Sequence, residues 1–206
     1  MSFYSKTVFP WLMEKGLSAP AVVEQRQMLL KGVRGDILEI GFGTGLNLPY
    51  YPAQVRKIYV LEPQISPNRA AQRRLAASPI EVAFYPLGAE RMPFDENAFD
   101  CVVSTWTLCS IPQVQQALTE IRRVLRPGGR FLFLEHGLSD DATVQAWQHA
   151  LTPGYRIFAC GCHLDRDIAR LVMDSGLVVE QMERNYMKET PRFSGYFYRG
   201  CAVKRG

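Results

Sequence analysis

The run Asp36-Ile37-Leu38-Glu39-Ile40-Gly41-Phe42-Gly43-Thr44-Gly45 carries the clearest chemistry in the chain, an apolar strand that leads directly into a glycine-rich turn. Glycines at 41, 43 and 45 let the backbone take positive φ angles and let a ligand approach the main chain closely. The next apolar run ends at Glu62. A carboxylate there, about 20 residues on, can accept hydrogen bonds from both hydroxyls of a ribose. A dinucleotide fingerprint needs a third glycine where Leu46 stands, so the sequence argues against a nicotinamide dinucleotide.

Two further stretches could take part in chemistry. His136 follows an apolar run at the sheet edge where acceptors sit, and its imidazole could take a proton from a thiol or hydroxyl, or could simply bond a loop. His163 is equally open between a structural and a functional role. Cys160-Gly161-Cys162-His163 invites a zinc reading, but a zinc site wants four ligands, usually as spaced pairs, and no second pair lies nearby in sequence. No metal is expected, and the thiols are read as packing groups.

These residues need a scaffold, and the patterning supplies one. From Gly35 onward, short apolar runs alternate with helical periodicity, the pattern of a mostly parallel sheet covered by helices on both faces. Strands are predicted at 36–40, 57–61, 80–84, 101–105, 130–135, 177–182 and 196–203. Val114, Ala117, Leu118, Ile121, Val124 and Leu125 recur at three- and four-residue steps, so one stripe of that helix should face the sheet before Pro127-Gly128-Gly129 ends it. Further helices are predicted near 141–151 and 165–175, and two before the core at 2–15 and 21–31. Residues 1–34 then form a helical cap and 35–206 the main domain.

The chain has 206 residues, 47% hydrophobic and 21% charged, which suits one soluble α/β core. Its net charge of +4 is scattered rather than gathered in a stripe. Arg69, Arg73 and Arg74 read as a solvated helix face, so no nucleic-acid partner is expected. Five cysteines without a scaffold pattern, and an N-terminus unlike a signal peptide, point to a reducing cytoplasm. No apolar run reaches the length of a membrane span.

Taken together, Glu39–Gly45, Glu62, Gly88-Ala89-Glu90-Arg91-Met92-Pro93-Phe94, Phe99–Ser104 and Arg123–Gly129 resemble the successive motifs of class I S-adenosylmethionine (SAM)-dependent methyltransferases. The resemblance implies a seven-stranded, Rossmann-like sheet with an antiparallel last strand, and SAM as cofactor. It implies that Glu39 with Gly41, Gly43 and Gly45 holds the methionine part of SAM, and that Glu62 holds the ribose. Ala89 and Glu90 would lie beside the adenine, and Thr105–Leu108 would line the pocket. Phe42 departs from the smaller residue of many relatives and is read as loop packing.

Thr107-Leu108-Cys109-Ser110, Leu134-Glu135-His136 and Gly161–Arg166 extend the resemblance to the methyltransferase-like thiol methyltransferases, whose animal members are membrane-associated and methylate small alkyl thiols. More distantly the core is similar to quinone C-methyltransferases and phospholipid N-methyltransferases. Arsenite methyltransferases, which bind arsenic through several cysteines, are a weaker comparison for Cys109, Cys160 and Cys162. The acceptor implied is a small molecule, a thiol first, with apolar walls from 2–11 and 155–158. The aromatic stretch with Phe3, Tyr4, Val8, Phe9, Trp11 and Leu12 could be a lid, a weak membrane-surface contact or plain packing. A SAM-binding protein without turnover is the competing class, because donor motifs report binding rather than reaction.

Overall fold

The computed structural model of the chain describes residues 9–64 and 67–206, excluding the side chains of residues 9 and 10. The expected lid residues Phe3, Tyr4 and Val8, and the side chain of Phe9, therefore lie outside the description. Two helices, α1 (Phe9–Leu17) and α2 (Pro20–Leu30), precede the sheet. Pro20 starts α2, where its missing N–H costs nothing.

Seven strands follow: β1 (Ile37–Ile40), β2 (Lys57–Leu61), β3 (Glu81–Tyr85), β4 (Phe99–Thr105), β5 (Leu125–His136), β6 (Val178–Tyr186) and β7 (Tyr196–Val203). They lie in the order β3-β2-β1-β4-β5-β7-β6. β1 to β5 are parallel and β7 is antiparallel to both β5 and β6, as the resemblance implies. β1, between β2 and β4, is buried along its whole length, which is why it reads as a continuous apolar run rather than an alternation.

The helices between strands are α3 (Arg69–Ala77), α4 (Val114–Val124), α5 (Ala142–Phe158), α6 (Ile168–Asp174) and the short α7 (Arg192–Gly195). In α4 the periodic residues Val114, Ala117, Leu118, Ile121 and Val124 are all buried, so the stripe faces the sheet as expected. The helix ends earlier than predicted. Leu125 is already extended and pairs with Phe99, and the Pro127–Gly129 stretch is an irregularity inside β5 before Arg130 pairs with Cys101.

α5 continues well past the predicted end and through Pro153. An interior proline costs about 3 kcal/mol, but this helix has strong anchors. Asp141 caps its first turn by accepting from Thr143 N and Val144 N, and buried Gln148 bonds Ser139 N, Gly137 O and Phe193 O. These tertiary bonds decide what local propensity does not. α6 is shorter than predicted, starting after the Asp167 cap.

No helix among the described residues is long and apolar enough to cross a membrane.

Candidate active site

β1 carries Glu39 to the C-terminal edge of the sheet, and the chain then turns through Gly41, Gly43 and Gly45 at φ of 76°, 54° and 77°. These are left-handed conformations that side-chain-bearing residues resist. At Gly41 space forbids a side chain as well, since a Cβ would lie 2.3 Å from Thr107 Oγ1. At Gly43 a Cβ would meet no atom within 4 Å, so the bare backbone forms part of a cavity wall. Phe42 is buried, lies against Gly45 and meets Phe84 edge-on at 5.0 Å, which is the packing role expected of it.

Glu62 is half-buried at the end of β2 and reaches across to this loop. Its Oε2 accepts from Phe42 N at 3.1 Å and Gly43 N at 2.9 Å, and its Oε1 accepts from Gln64 N at 3.2 Å. The carboxylate thus holds the glycine turn in shape while facing the cavity.

Glu39 sits in a network that local spacing does not reveal. Asn47 Nδ2 donates to its Oε1 at 2.8 Å and Tyr51 Oη donates to its Oε2 at 2.7 Å. Arg26, fully buried on α2, donates to Asn47 Oδ1 and to Thr105 Oγ1. Burial pushes the Glu39 carboxyl up to about 7, against the opposing bonds from Tyr51 and Asn47 and the charge of Arg26. Burial likewise lowers Arg26 from its ordinary value. Arg26 Nε is buried without a hydrogen-bond partner among the described residues and the residue lines the cavity. The one sequence signal was an arginine among Val22, Leu29 and Leu30 at helical steps, on the buried face of α2.

α1 closes over the loop through Arg74. Its guanidinium bonds both Glu14 oxygens and Thr44 O, so Arg74 is a clamp rather than the solvated charge expected of it. Arg69 and Arg73 are exposed, as expected. Met13, Glu14, Gly16 and Leu17 of α1 line the cavity, whereas Trp11 and Leu12 face outward.

The other half of the cavity is built where β4 ends. Trp106 has a positive φ of 55°, an uncommon conformation for an aromatic residue, and stacks on His136 with ring centroids 6.2 Å apart. Buried Glu135 accepts from Ser104 Oγ at 2.7 Å and Thr107 N at 2.9 Å, and Arg166 donates to Leu108 O and Ile111 O. These two side chains hold the turn that presents Cys109.

Cys109, His136 and Cys162 converge there. His136 Nε2 lies 2.7 Å from Cys162 Sγ, and Cys162 Sγ lies 3.2 Å from Cys109 Sγ. All three residues are buried. The Cys162 neighbour and burial push the Cys109 thiol well above its ordinary range. Burial opposes a charge on His136, but the Cys109 sulfur and Glu135 outweigh it and raise the imidazole. No second pair of metal ligands stands near the 160–163 run in sequence. The fold instead brings Cys109 and His136 to Cys162, and Cys160 is exposed and outside the cluster.

One cavity of about 990 Å³ joins these parts. Its lining includes Glu39, Gly41, Gly43, Glu62, Ala89, Glu90, Thr105 and His136 among the residues expected from sequence. Gly45 is buried under Phe42 and supports the turn from behind. Leu108 departs from expectation, being buried in the core beneath the sheet edge rather than on the wall. Tyr155 lines the cavity, but Ile157 and Phe158 are exposed and do not serve as its walls. His163 lies 3.7 Å from Asp165 and is not among the lining residues.

A glycine turn with bare backbone, an acid across from it and an unpaired buried guanidine nitrogen fit a ligand with a ribose and a carboxylate. Residues 38–133 match the family described as Methyltransferase domain. A rat protein described as Thiol S-methyltransferase TMT1B is 33% identical over 181 residues, 79% of this chain and 72% of its own length. The human protein of that description is 30% identical, over 87% of this chain and 79% of its own length. A solved structure of a protein from Bacillus halodurans superposes with a TM-score of 0.67 at 14% identity, covering 89% of this chain and 99% of that one. The chain belongs to the class I SAM-dependent methyltransferases, and SAM is its cofactor.

Proposed function

We propose that the acceptor is a small, mostly apolar thiol, held between the SAM site and the His136 cluster. The observation that carries this reading is the shared cavity. The walls that include Glu62 and the glycine turn also include Cys109, Trp106, Tyr155, His136, Cys162 and Met187. Arg26 is the single Lys or Arg among the described lining residues, which leaves little to hold a polyanion. The description of the rat and human relatives as thiol S-methyltransferases supports the same acceptor class.

Bound SAM supplies an electrophilic methyl group on a sulfonium. The chain's part is to bind, align and keep water out, since an in-line displacement needs chiefly those. In this reading Glu39 acts through Asn47 and Thr105 on the methionine end of the site, together with Gly41 and Gly43. Arg26 Nε is free to meet the carboxylate there. Glu62 takes the ribose hydroxyls, and Ala89 and Glu90 flank the adenine. His136 lies on the acceptor side, where it can assist loss of the thiol proton. Residues 1–34 act as a cap, a role supported by α1 and Arg26 on the cavity wall. A reducing cytoplasm belongs to the same proposal, supported by five cysteines of which none is paired.

The test is purified protein with SAM and a panel of alkyl thiols, quinones and phospholipids, read by S-adenosylhomocysteine formation. Turnover with thiols is expected. Turnover only with a quinone or a phospholipid amine would overturn the acceptor assignment, and tight SAM binding with no turnover would favour a binding protein.

A further inference from the structure

The geometry points to a zinc site made by Cys109 Sγ, Cys162 Sγ and His136 Nε2, with its fourth position open to the acceptor side of the cavity. The three donor atoms lie within 4.8 Å of one another and come from three separate places: the turn after β4, the end of β5 and the turn after α5. Two sulfurs and an imidazole nitrogen are a donor set suited to zinc, and three protein ligands with one open position is the pattern of a catalytic rather than a structural zinc.

The metal-free distances are close to what the ion needs. Tetrahedral zinc with bonds of about 2.3 Å to sulfur and about 2.0 Å to nitrogen sets S···S near ~3.8 Å and S···N near ~3.5 Å. The Cys109–Cys162 and His136–Cys162 separations are 3.2 Å and 2.7 Å, so each must open by less than an ångström, and the third pair already lies within 4.8 Å.

Trp106 Nε1, on the cavity wall beside His136, is buried with no partner among the described residues, and so is His136 Nδ1, which lies on the far side of the ring from the metal and is open to a polar group of the acceptor or to water. Buried polar atoms left unpaired cost about 1–3 kcal/mol each. A polar pocket that includes two thiols is poorly explained as packing. A divalent cation is neutralised here by two thiolates, whose protons leave to solvent when it binds. An acceptor thiol at the open position would lose its proton to solvent in the same way, because a coordinated thiol is deprotonated outright, and with zinc bound His136 assists that loss as a ligand of the metal rather than as a base. That use in methyl transfer rests on the thiol reading above, whereas the metal site itself does not.

The experiment is metal loading of the full chain, reduced with a phosphine and freed of metal. Zn²⁺ should bind at one equivalent per chain. Co²⁺ in its place should give sulfur-to-cobalt charge-transfer absorption and the strong visible bands of a tetrahedral centre. Cys109→Ser, Cys162→Ser and His136→Gln should each weaken Zn²⁺ by more than the roughly 10–100-fold that outer-shell substitutions cost. Cys160→Ser should bind as the native protein does. Circular dichroism and SAM calorimetry on each variant separate lost ligation from lost fold. An alkyl thiol added to the Co²⁺ form should add a further sulfur-to-cobalt band. The rate of the zinc form should level off below the acceptor's own pKa, while the metal-free form follows the thiolate fraction.

Absence of stoichiometric Zn²⁺ binding by folded, reduced protein would overturn the site. So would equal binding by all three variants, or a Cys109–Cys162 disulfide that persists in the reductant. Zinc bound as expected with no thiol turnover would leave the site standing and sink only the acceptor assignment.

Discussion

The hydroxyl of Tyr51 donates to Glu39 Oε2 at 2.7 Å, inside the sheet edge and out of contact with solvent. That bond, with Asn47 and Arg26, is what keeps a fully buried carboxyl beside the glycine turn. Burial still prevails, and the Glu39 carboxyl rises from 4.5 to about 7. Because the folded value lies above the ordinary one, the folded chain holds a proton that the unfolded chain has released. The stability from that proton is complete below pH 4.5 and lost as pH rises through about 7. Measured by denaturation, the native protein should lose stability across this window relative to Glu39→Gln, which has no such titration. A gap that does not change with pH would show Glu39 to be ionised throughout.

Arg26→Ala removes the cation nearest Glu39 and its bonds to Asn47 Oδ1 and Thr105 Oγ1, leaving Asn47 Oδ1 only the longer bond from Thr105 Oγ1 at 3.4 Å. Two buried hydrogen bonds from a charged group are lost, worth about 1.5–3 kcal/mol each. Urea denaturation should show a loss of that order, and SAM affinity should fall with it. A loss within the error of the midpoint would mean that the arginine contributes nothing beyond its packed stem.

Glu62→Ala should lower SAM affinity about ten- to a hundredfold, since each hydrogen bond to a charged group is worth about 1.5–3 kcal/mol. Part of the loss comes from the glycine turn, whose Phe42 and Gly43 amides lose their acceptor. Gly43→Val should bind more weakly still, because its φ of 54° resists a β-branched residue and the side chain would occupy the open wall. Calorimetry on both folded variants decides it; unchanged affinity in either would place the donor elsewhere.

Arg74→Ala should release α1 from the glycine turn without unfolding the domain. The pair with Glu14 is partly exposed, at 24% and 25%, so its loss should change stability by less than about 1 kcal/mol. SAM should dissociate several-fold faster in stopped-flow measurements, because Met13, Glu14 and Leu17 would no longer be held against the cavity. Dissociation at the native rate would rule out α1 as a barrier to release.

The glycine turn and the acid that faces it were legible in the sequence because they are local. A strand, a glycine turn and an acid at the end of the following strand occupy fixed places in a doubly wound sheet, so Gly41, Gly43 and Glu62 can be placed from spacing alone. The buried stripe of α4 was legible for the same reason, a period of 3.6 residues facing a sheet. What followed from tertiary structure alone has no sequence period. Arg26 meets Asn47 across 21 residues, and Cys109 meets Cys162 across 53. The end of α5 beyond Pro153 belongs with them, since Gln148 secures that helix through bonds to Gly137 and Phe193. Such contacts form only when separate loops reach the same sheet edge. Residue types therefore suggested a methyl donor site, while the order and register of the strands decided which thiols and which imidazole share a cavity with the glycine turn.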